Sequence, residues 1–288
     1  MFALGNMRNP LTLIRNFIKV LLLSRDYDIV HAQFGSICGF LCGFLLSKKK
    51  VITLRGSDWH AAELPNMKRR WHHKLQNLLT RLSLPKYDKI VVVSNRMRRE
   101  VTDRYPKADV LVLPSPVNPN LFFPIDKRQA REKLGLNLAH KIFLFPVVNI
   151  RNPIKRPWLV QSVQRSLPND IEIITASGLP HQKMPLLYNA VDAIILPSFY
   201  EGWPNVIKEG LMCNTPFIAT DISDLKEISE KFPSCLIIEP TEIDLYNALV
   251  NFSPSNETVR EAVQGLSLDH LNGMLIRKCY ESLWREGV

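Results

Sequence analysis

The chain has 288 residues, 46% hydrophobic and 22% charged, an ordinary globular mixture long enough for two cores. Its net charge of +10 is one-sided: residues 1–126 hold 20 Lys+Arg against 9 Asp+Glu (net +11), and residues 127–288 hold 17 against 18 (net −1). Five cysteines, odd in number and without a CxxC pair, suggest neither a disulfide framework nor a zinc site, and they fit a reducing cytoplasm.

The basic first part suits an anionic partner such as a phospholipid surface, a lipid phosphate or nucleic acid; a solvated basic face is the plainer alternative. The opening MFALGNMRNPLTLIRNFIKVLLLS is basic and amphipathic but has no small-residue cleavage site, so it is not read as a signal peptide. Asp26 and Asp28 precede a strand and read as a helix-to-strand turn, not a metal-binding pair. The apolar run FGSICGFLCGFLL (34–46) is shorter than the roughly 20 residues of a membrane span. Its Gly35, Gly39 and Gly43 make a smooth helical stripe suited to close packing on a sheet, or to dimerisation in a bilayer.

Short Val- and Ile-rich runs recur along the chain: DIVHAQF (28–34), KKVITL (49–54), DKIVVVS (88–94), DVLVLP (109–114), KIFLFPVV (141–148), IEIITAS (171–177), DAIILP (192–197), PFIAT (216–220) and CLIIEP (235–240). Helix-length stretches separate them, so they predict parallel strands in a doubly wound α/β chain. Between the second and third runs, Met67, Trp71, Leu75, Leu78, Leu79 and Leu82 share a helical face amid Lys68, Arg69, Arg70, His72, His73, Lys74 and Arg81. That face suits an anionic membrane or a core equally. His72 and His73 point apart on a helix, which argues against a shared metal. PSPVNPNLFFPID (114–126) carries four prolines where the charge asymmetry changes, and predicts a boundary. The expected division is an N-terminal domain 1–120, a C-terminal domain 121–273, and a helix 274–288 packing back toward the first.

The segment SFYEGWPNVIKEG (198–210) concentrates the chemistry. Pro204 suits the first position of a helix running to about Cys213. The N–H groups of Asn205 and Val206 then lack intrahelical acceptors and carry the positive dipole end, which fits a phosphate. Gly202 lets the backbone approach a ligand closely. Glu209 can point back to accept two hydrogen bonds from a vicinal diol. Both Glu201 and Glu209 as solvated surface residues is the bland alternative.

Residues 184–228, MPLLYNAVDAIILPSFYEGWPNVIKEGLMCNTPFIATDISDLKEI, resemble the donor-binding segment of family 4 GT-B glycosyltransferases, a retaining group that uses nucleotide sugars. The resemblance implies two Rossmann-like domains facing a cleft. It places Glu201 by the donor sugar, Glu209 on the nucleotide ribose, and the backbone of Gly202, Trp203, Pro204, Asn205 and Val206 against sugar and diphosphate. NIRNPIKRPWLV (149–160) resembles the basic clamp of the diphosphate, with Lys155 as the family lysine and Arg151 and Arg156 beside it; Asn149 or Arg151 stands where many members carry an arginine. DIVHAQFG, with His31, and ITLRGSD, with Arg55 and Asp58, resemble acceptor-side segments. Arg55 stands where many members have histidine, and His60 is a further candidate there.

The family usually opens with a strand and a glycine-rich loop, so the resemblance implies that roughly 60 residues, about two βα units, are absent before DIVHAQF, leaving an exposed sheet edge. It also implies a retaining transfer from a nucleotide sugar to a glycan or lipid-linked acceptor in surface polysaccharide assembly, without a metal and without a cofactor, at the cytoplasmic side and peripherally at a membrane. Arg55 and the short N-terminus leave open a non-catalytic nucleotide-sugar-binding or partner subunit. Net charge alone would suggest nucleic acid, but no DNA-binding motif or aromatic-basic platform supports it. An epimerase is a fold analogy only.

Overall fold

The computed structural model describes residues 9–60, 67–147, 149–176, 179–253, 257–266 and 274–285. The chain divides into two compact units, Met1–Pro114 with Gly273–Val288, and Ser115–Asn272. Each is built on one parallel sheet, and all nine predicted strands are present.

In unit one, helix α1 (Pro10–Leu23) starts where the Asn9 side chain accepts from the N–H groups of Leu11 and Thr12. After it come β1 (Ile29–Ala32), α2 (Ser36–Cys42), β2 (Lys49–Leu54), α3 (Met67–Ser83), β3 (Lys89–Val92), α4 (Asn95–Arg104) and β4 (Val110–Val112). The strands lie in the order β1-β2-β3-β4, all parallel, with β1 at one edge. Neighbours on a strand face opposite sides, and β2 shows it. Val51 packs with Cys279 and Leu283 of the last helix, α11 (Met274–Arg285). A Cβ on Gly39 of α2 would come within 2.8 Å of the Ile52 side chain. The glycine stripe serves packing on two neighbours: Gly39 rests on the sheet, and Gly35 lies against Thr80 of α3. Asp26 closes a 3-10 turn, and Asp28 pairs with Lys48 at 3.0 Å.

Of the apolar face expected on α3, Leu79 is partly buried, and the other described members stay out of the core. Trp71, Leu75, Leu78 and Leu82 are exposed, while Asn77, Thr80 and Ser83 are buried. The side chains of Met67, Lys68, Arg69, Arg70 and His72 lie outside the described residues.

Unit two holds α5 (Lys127–Leu134), β5 (Lys141–Phe145), α6 (Pro157–Gln164), β6 (Ile171–Thr175), α7 (Met184–Ala190), β7 (Ala193–Leu196), α8 (Asn205–Met212), β8 (Phe217–Ala219), α9 (Leu225–Ser229), β9 (Leu236–Ile237) and α10 (Glu242–Val250). Its parallel strands lie in the order β6-β5-β7-β8-β9. Because strand residues alternate, two cores form. Ile142, Leu144, Ile194 and Leu196 meet Leu187 and Tyr188 of α7 and Ile207 and Leu211 of α8. Phe143, Phe145, Ala193 and Ile195 meet Leu159 and Val163 of α6 and Leu245 and Leu249 of α10. This is the doubly wound arrangement the alternating runs predict. The Arg131 guanidinium and the Asp192 carboxylate, both buried, pair at 2.8 Å; Asp192 also accepts from the N–H of Ile142.

The division falls at Pro114/Ser115, earlier than the expected 120/121. Val117 and Phe122 of the proline-rich segment are buried in the core of unit two, so that segment folds as part of unit two.

Candidate functional site

The order β6-β5-β7 has a topological switch point. The chain leaves β5 for β6 on one side and returns to β7 on the other, and the carboxyl ends of strands at such a point are where open α/β sheets place their ligands. Residues 149–156 lie in the loop after β5 and residues 197–204 in the loop after β7. The two loops are tied together: the N–H of Phe199 donates to the carbonyl of Ile154 at 2.9 Å.

Across this junction the Lys155 ammonium contacts Glu201 Oε1, and the Ser198 hydroxyl donates to the same oxygen at 3.0 Å. Both charged side chains are partly accessible, at 22% and 19%, so the pair can meet a ligand without unfolding anything. Arg156 has a different place. Its backbone is left-handed at φ 48°, and its guanidinium donates to the carbonyls of Pro197 at 2.8 Å and Ser198 at 2.9 Å while lying 3.7 Å from the Phe199 ring. Burial lowers its pKa from the usual arginine value. Arg156 therefore braces the loop that presents Glu201. Arg151 is exposed, and its N–H donates to Asn149 Oδ1 at 2.9 Å.

Beyond the loop, α8 begins at Asn205, with Pro204 as its N-cap, one place earlier than the first-turn position expected for it. Proline has no side-chain oxygen, so this start has no side-chain cap, whereas Ser94, Asp126 and Thr241 cap α4, α5 and α10. The amides of Asn205 and Val206 thus carry the positive dipole end at the loop after the carboxyl end of β7. Gly202 and Pro204 are buried and Trp203 half-buried; the Gly202 carbonyl accepts from the Ser223 hydroxyl at 2.6 Å, which fixes the turn. Lys208 is fully buried, its ammonium 5.4 Å from the Trp203 ring and donating to the Ser115 carbonyl at 2.6 Å. Burial pushes its pKa down to about 8.

Glu209, one turn further along α8, has its carboxylate held from two sides. The Tyr188 hydroxyl donates to one oxygen at 2.9 Å and His181 Nε2 lies 3.1 Å from the other. Burial and the carboxylate together push the Tyr188 phenol well above its ordinary pKa, so it stays a donor. Gly210 explains how α8 lies close enough to the sheet to bring these groups together: a Cβ there would overlap the Ile194 side chain of β7.

Lys155 and Glu201 are thus in direct contact, Arg156 is bound to the backbone of the loop that carries Glu201, and Glu209 stands on the same helix that the Gly202–Pro204 turn begins. Sequence reasoning missed Tyr188, His181, Ser198, Ser223 and Lys208. A turn spacing links Ser198 to Glu201 and was a usable signal, but Tyr188 and His181 reach Glu209 from other elements and left none.

In unit one, His31, Arg55 and Asp58 gather at the carboxyl ends of β1 and β2. The Arg55 guanidinium donates to the Gln33 carbonyl at 3.1 Å and to its side chain at 3.3 Å. The Gln33 amide in turn reaches His31 Nδ1 at 3.1 Å. The Tyr280 hydroxyl is 2.5 Å from Nδ1 and the Thr53 hydroxyl 2.7 Å from Nε2. Burial and then the Arg55 charge lower the His31 pKa to about 4, so the imidazole is neutral. Donors at Nδ1 assign the proton to Nε2, donating to Thr53. Asp58 is fully buried and accepts from the backbone N–H groups of Gly35, Arg55 and Gly56 at 2.8–2.9 Å. Burial raises its pKa against the opposing pull of those bonds. Its carboxylate closes the β2 loop onto the start of α2. His60 Nδ1 lies 3.6 Å from Glu100 Oε2.

Among the described residues, no three His, Cys, Asp or Glu side chains come together as metal ligands, and all five cysteines are free. No described helix is long and apolar enough to cross a membrane.

A model described as Glycosyltransferase Family 4 matches residues 2–121, and one described as Glycosyl transferases group 1 matches residues 151–252. Among curated proteins, a putative teichuronic acid biosynthesis glycosyltransferase, TuaC, of Bacillus subtilis is 23% identical over 78% of this chain and 61% of its own length. O-antigen chain mannosyltransferase B of Escherichia coli is 29% identical over 29% of this chain and 21% of its own length. The chain spans between about a fifth and three fifths of the first curated relatives it matches. Among solved structures, sucrose-phosphate synthase from Thermosynechococcus elongatus superposes with a TM-score of 0.73 at 16% identity, covering 96% of this chain and 80% of that one. Anabaena Alr3699/HepE in complex with UDP superposes at 0.69 with 13% identity, covering 93% and 82%. The two domain models match successive parts of the chain, each less than half of it, and the fold is the two-sheet α/β GT-B fold of these solved structures.

Proposed function

We propose that the chain transfers a sugar, with retention and without a metal, from a nucleotide-sugar donor to a glycan or lipid-linked acceptor in surface polysaccharide assembly. The observation that carries this reading is the Lys155–Glu201 contact at the switch point, beside the uncapped start of α8. Breaking an anomeric bond leaves negative charge on the departing diphosphate, and stabilising that charge is the main electrostatic task. Lys155 and the amides of Asn205 and Val206 meet that charge. Glu201 accepts from hydroxyls of the donor sugar. Glu209, oriented by Tyr188 and His181, accepts from the ribose diol. Arg156 keeps the loop in place, and Arg151 is the exposed cation left for the outer phosphate. His31 and Arg55 serve the acceptor, with Asp58 shaping their loop. The TuaC and O-antigen names of the relatives, and the UDP and UDP-glucose bound to HepE, support the class of reaction and of donor.

A thermal-shift series across nucleoside diphosphates tests donor binding, since a ligand that binds the native state stabilises by RT ln(1 + [L]/Kd). One diphosphate is expected to raise the transition, and its sugar conjugate to be turned over with cell-envelope acceptors. Binding without any transfer would favour a non-catalytic subunit. No shift with any diphosphate would remove the donor assignment, and activity lost to a chelator and restored by manganese would remove metal independence.

A further inference from the structure

Helix α6 turns its large apolar residues inward with one exception. Leu159, Val160 and Val163 are buried in the core that α6 shares with α10, while Trp158, the second residue of the helix, is 45% exposed. Gln161, one turn along that face, and Arg165, just past the end of the helix, are exposed and polar, so the indole stands alone. A patch the size of one ring is too small for a protein partner or a second copy of the chain, which cover about 800 Å² a side.

The ring is nonetheless held with care. Phe199 packs against it, ring centroids 6.0 Å apart and planes tilted by 50°, and the Arg156 guanidinium lies 3.7 Å from the same Phe199 ring. That guanidinium is fixed by the carbonyls of Pro197 and Ser198, and the Arg156 backbone is left-handed at φ 48°, a conformation that residues with a Cβ seldom adopt. A bend of this kind, kept by its surroundings, points to a functional turn. It closes the 3-10 turn that carries Lys155 and opens α6, so ammonium and indole leave the chain three residues apart. Phe199 in turn precedes Glu201 by two residues. The indole is thereby tied to both members of the Lys155–Glu201 pair.

The sheet decides which end of a ligand the indole meets. Tyr188 and α8, which hold and carry Glu209, pack on one face of the sheet, and α6 packs on the other. A donor with its ribose at Glu209 and its sugar at Glu201 keeps its nucleoside on the side of α7 and α8. Trp158 lies beside the sugar end, where the receiving group arrives. A pyranose offers an apolar C–H face and a rim of hydroxyls. The flat indole suits the face, and Lys155, Glu201 and Gln161 suit the rim.

We propose that Trp158, backed by Phe199, is a stacking platform for a pyranose ring of the acceptor. The inference takes its direction from the donor-site reading and deepens it: the acceptor carries a sugar ring beside the hydroxyl that reacts, so it is a glycan, free or borne on a lipid, and not a bare lipid phosphate.

The full chain is titrated calorimetrically with maltotetraose, mannotetraose and tetra-N-acetylchitotetraose, and with decyl phosphate as an anion that has a chain and no ring. Thermal shifts with UDP, GDP and ADP are recorded beside each titration. At least one tetrasaccharide is expected to bind the wild type and to change its tryptophan emission. Trp158→Ala is expected to bind that saccharide about tenfold more weakly, and Trp158→Phe to keep part of the affinity. Because the indole lies outside the core, both variants are expected to keep the unfolding transition and the diphosphate shift of the wild type. Binding of none of the three saccharides, or equal affinity in Trp158→Ala, overturns the platform. So does decyl phosphate binding that needs Trp158, or loss of the diphosphate shift in Trp158→Ala, which would assign the ring to the donor. Saccharide binding through Trp158 in a protein that answers no diphosphate would remove the donor reading and leave the platform standing.

Discussion

The hydroxyl of Tyr188 donates to a Glu209 carboxylate oxygen at 2.9 Å, joining α7 to α8 at the point where the proposed ribose is held. Tyr188 is wholly buried in the core of unit two, so its hydroxyl has one orientation to offer. Tyr188→Phe keeps the ring and removes this bond. A hydrogen bond to a charged group contributes about 1.5–3 kcal/mol, so nucleoside diphosphate affinity is expected to fall about tenfold to a hundredfold. Calorimetric titration checks this; because the bond is already made in the free protein, a lower unfolding transition is expected alongside it.

Lys155→Ala is expected to abolish transfer, a loss of about a hundredfold or more, in a protein that stays folded. The ammonium is partly accessible and no core depends on it. Near-wild-type turnover by a folded variant would remove Lys155 from the diphosphate clamp.

Gly210→Ala tests the packing that brings α8 to the sheet. The added methyl meets Ile194 side-chain atoms of β7, in a core with no slack. Overpacking of this kind costs about 1–3 kcal/mol, read as a lower urea midpoint at unchanged slope. Pairing it with Ile194→Val is expected to recover part of the loss.

His31 sets a pH dependence in unit one. Its native pKa, about 4, lies below the ordinary 6.5 because the ring is buried and near Arg55. Between these values the unfolded chain binds a proton that the native ring refuses, so stability is lost as pH falls from 6.5 toward 4. Melting temperatures over that range are expected to fall less steeply for His31→Gln than for the wild type. An identical slope would show that another group carries the acid sensitivity.

The strand content was legible because each strand is a contiguous apolar run, buried throughout in β7 and β8 and partly buried in β1, β4 and β9, so local composition carries the signal. Glu201 and Glu209 were legible for the same reason, since one strand, one turn and one helix within a single short stretch place them. What local sequence could not express is which surface a side chain meets. Arg156 reads as a phosphate ligand beside Lys155, yet its guanidinium is held by the carbonyls of Pro197 and Ser198. Tyr188 and His181 reach Glu209 from separate elements. The leucines of α3 have the period of a core helix, but the close approach of α2 at Gly35 turns them outward. Periodicity records that a helix has an apolar side; the direction that side faces depends on steric fit between elements distant in sequence, and so it is settled only when the chain is folded.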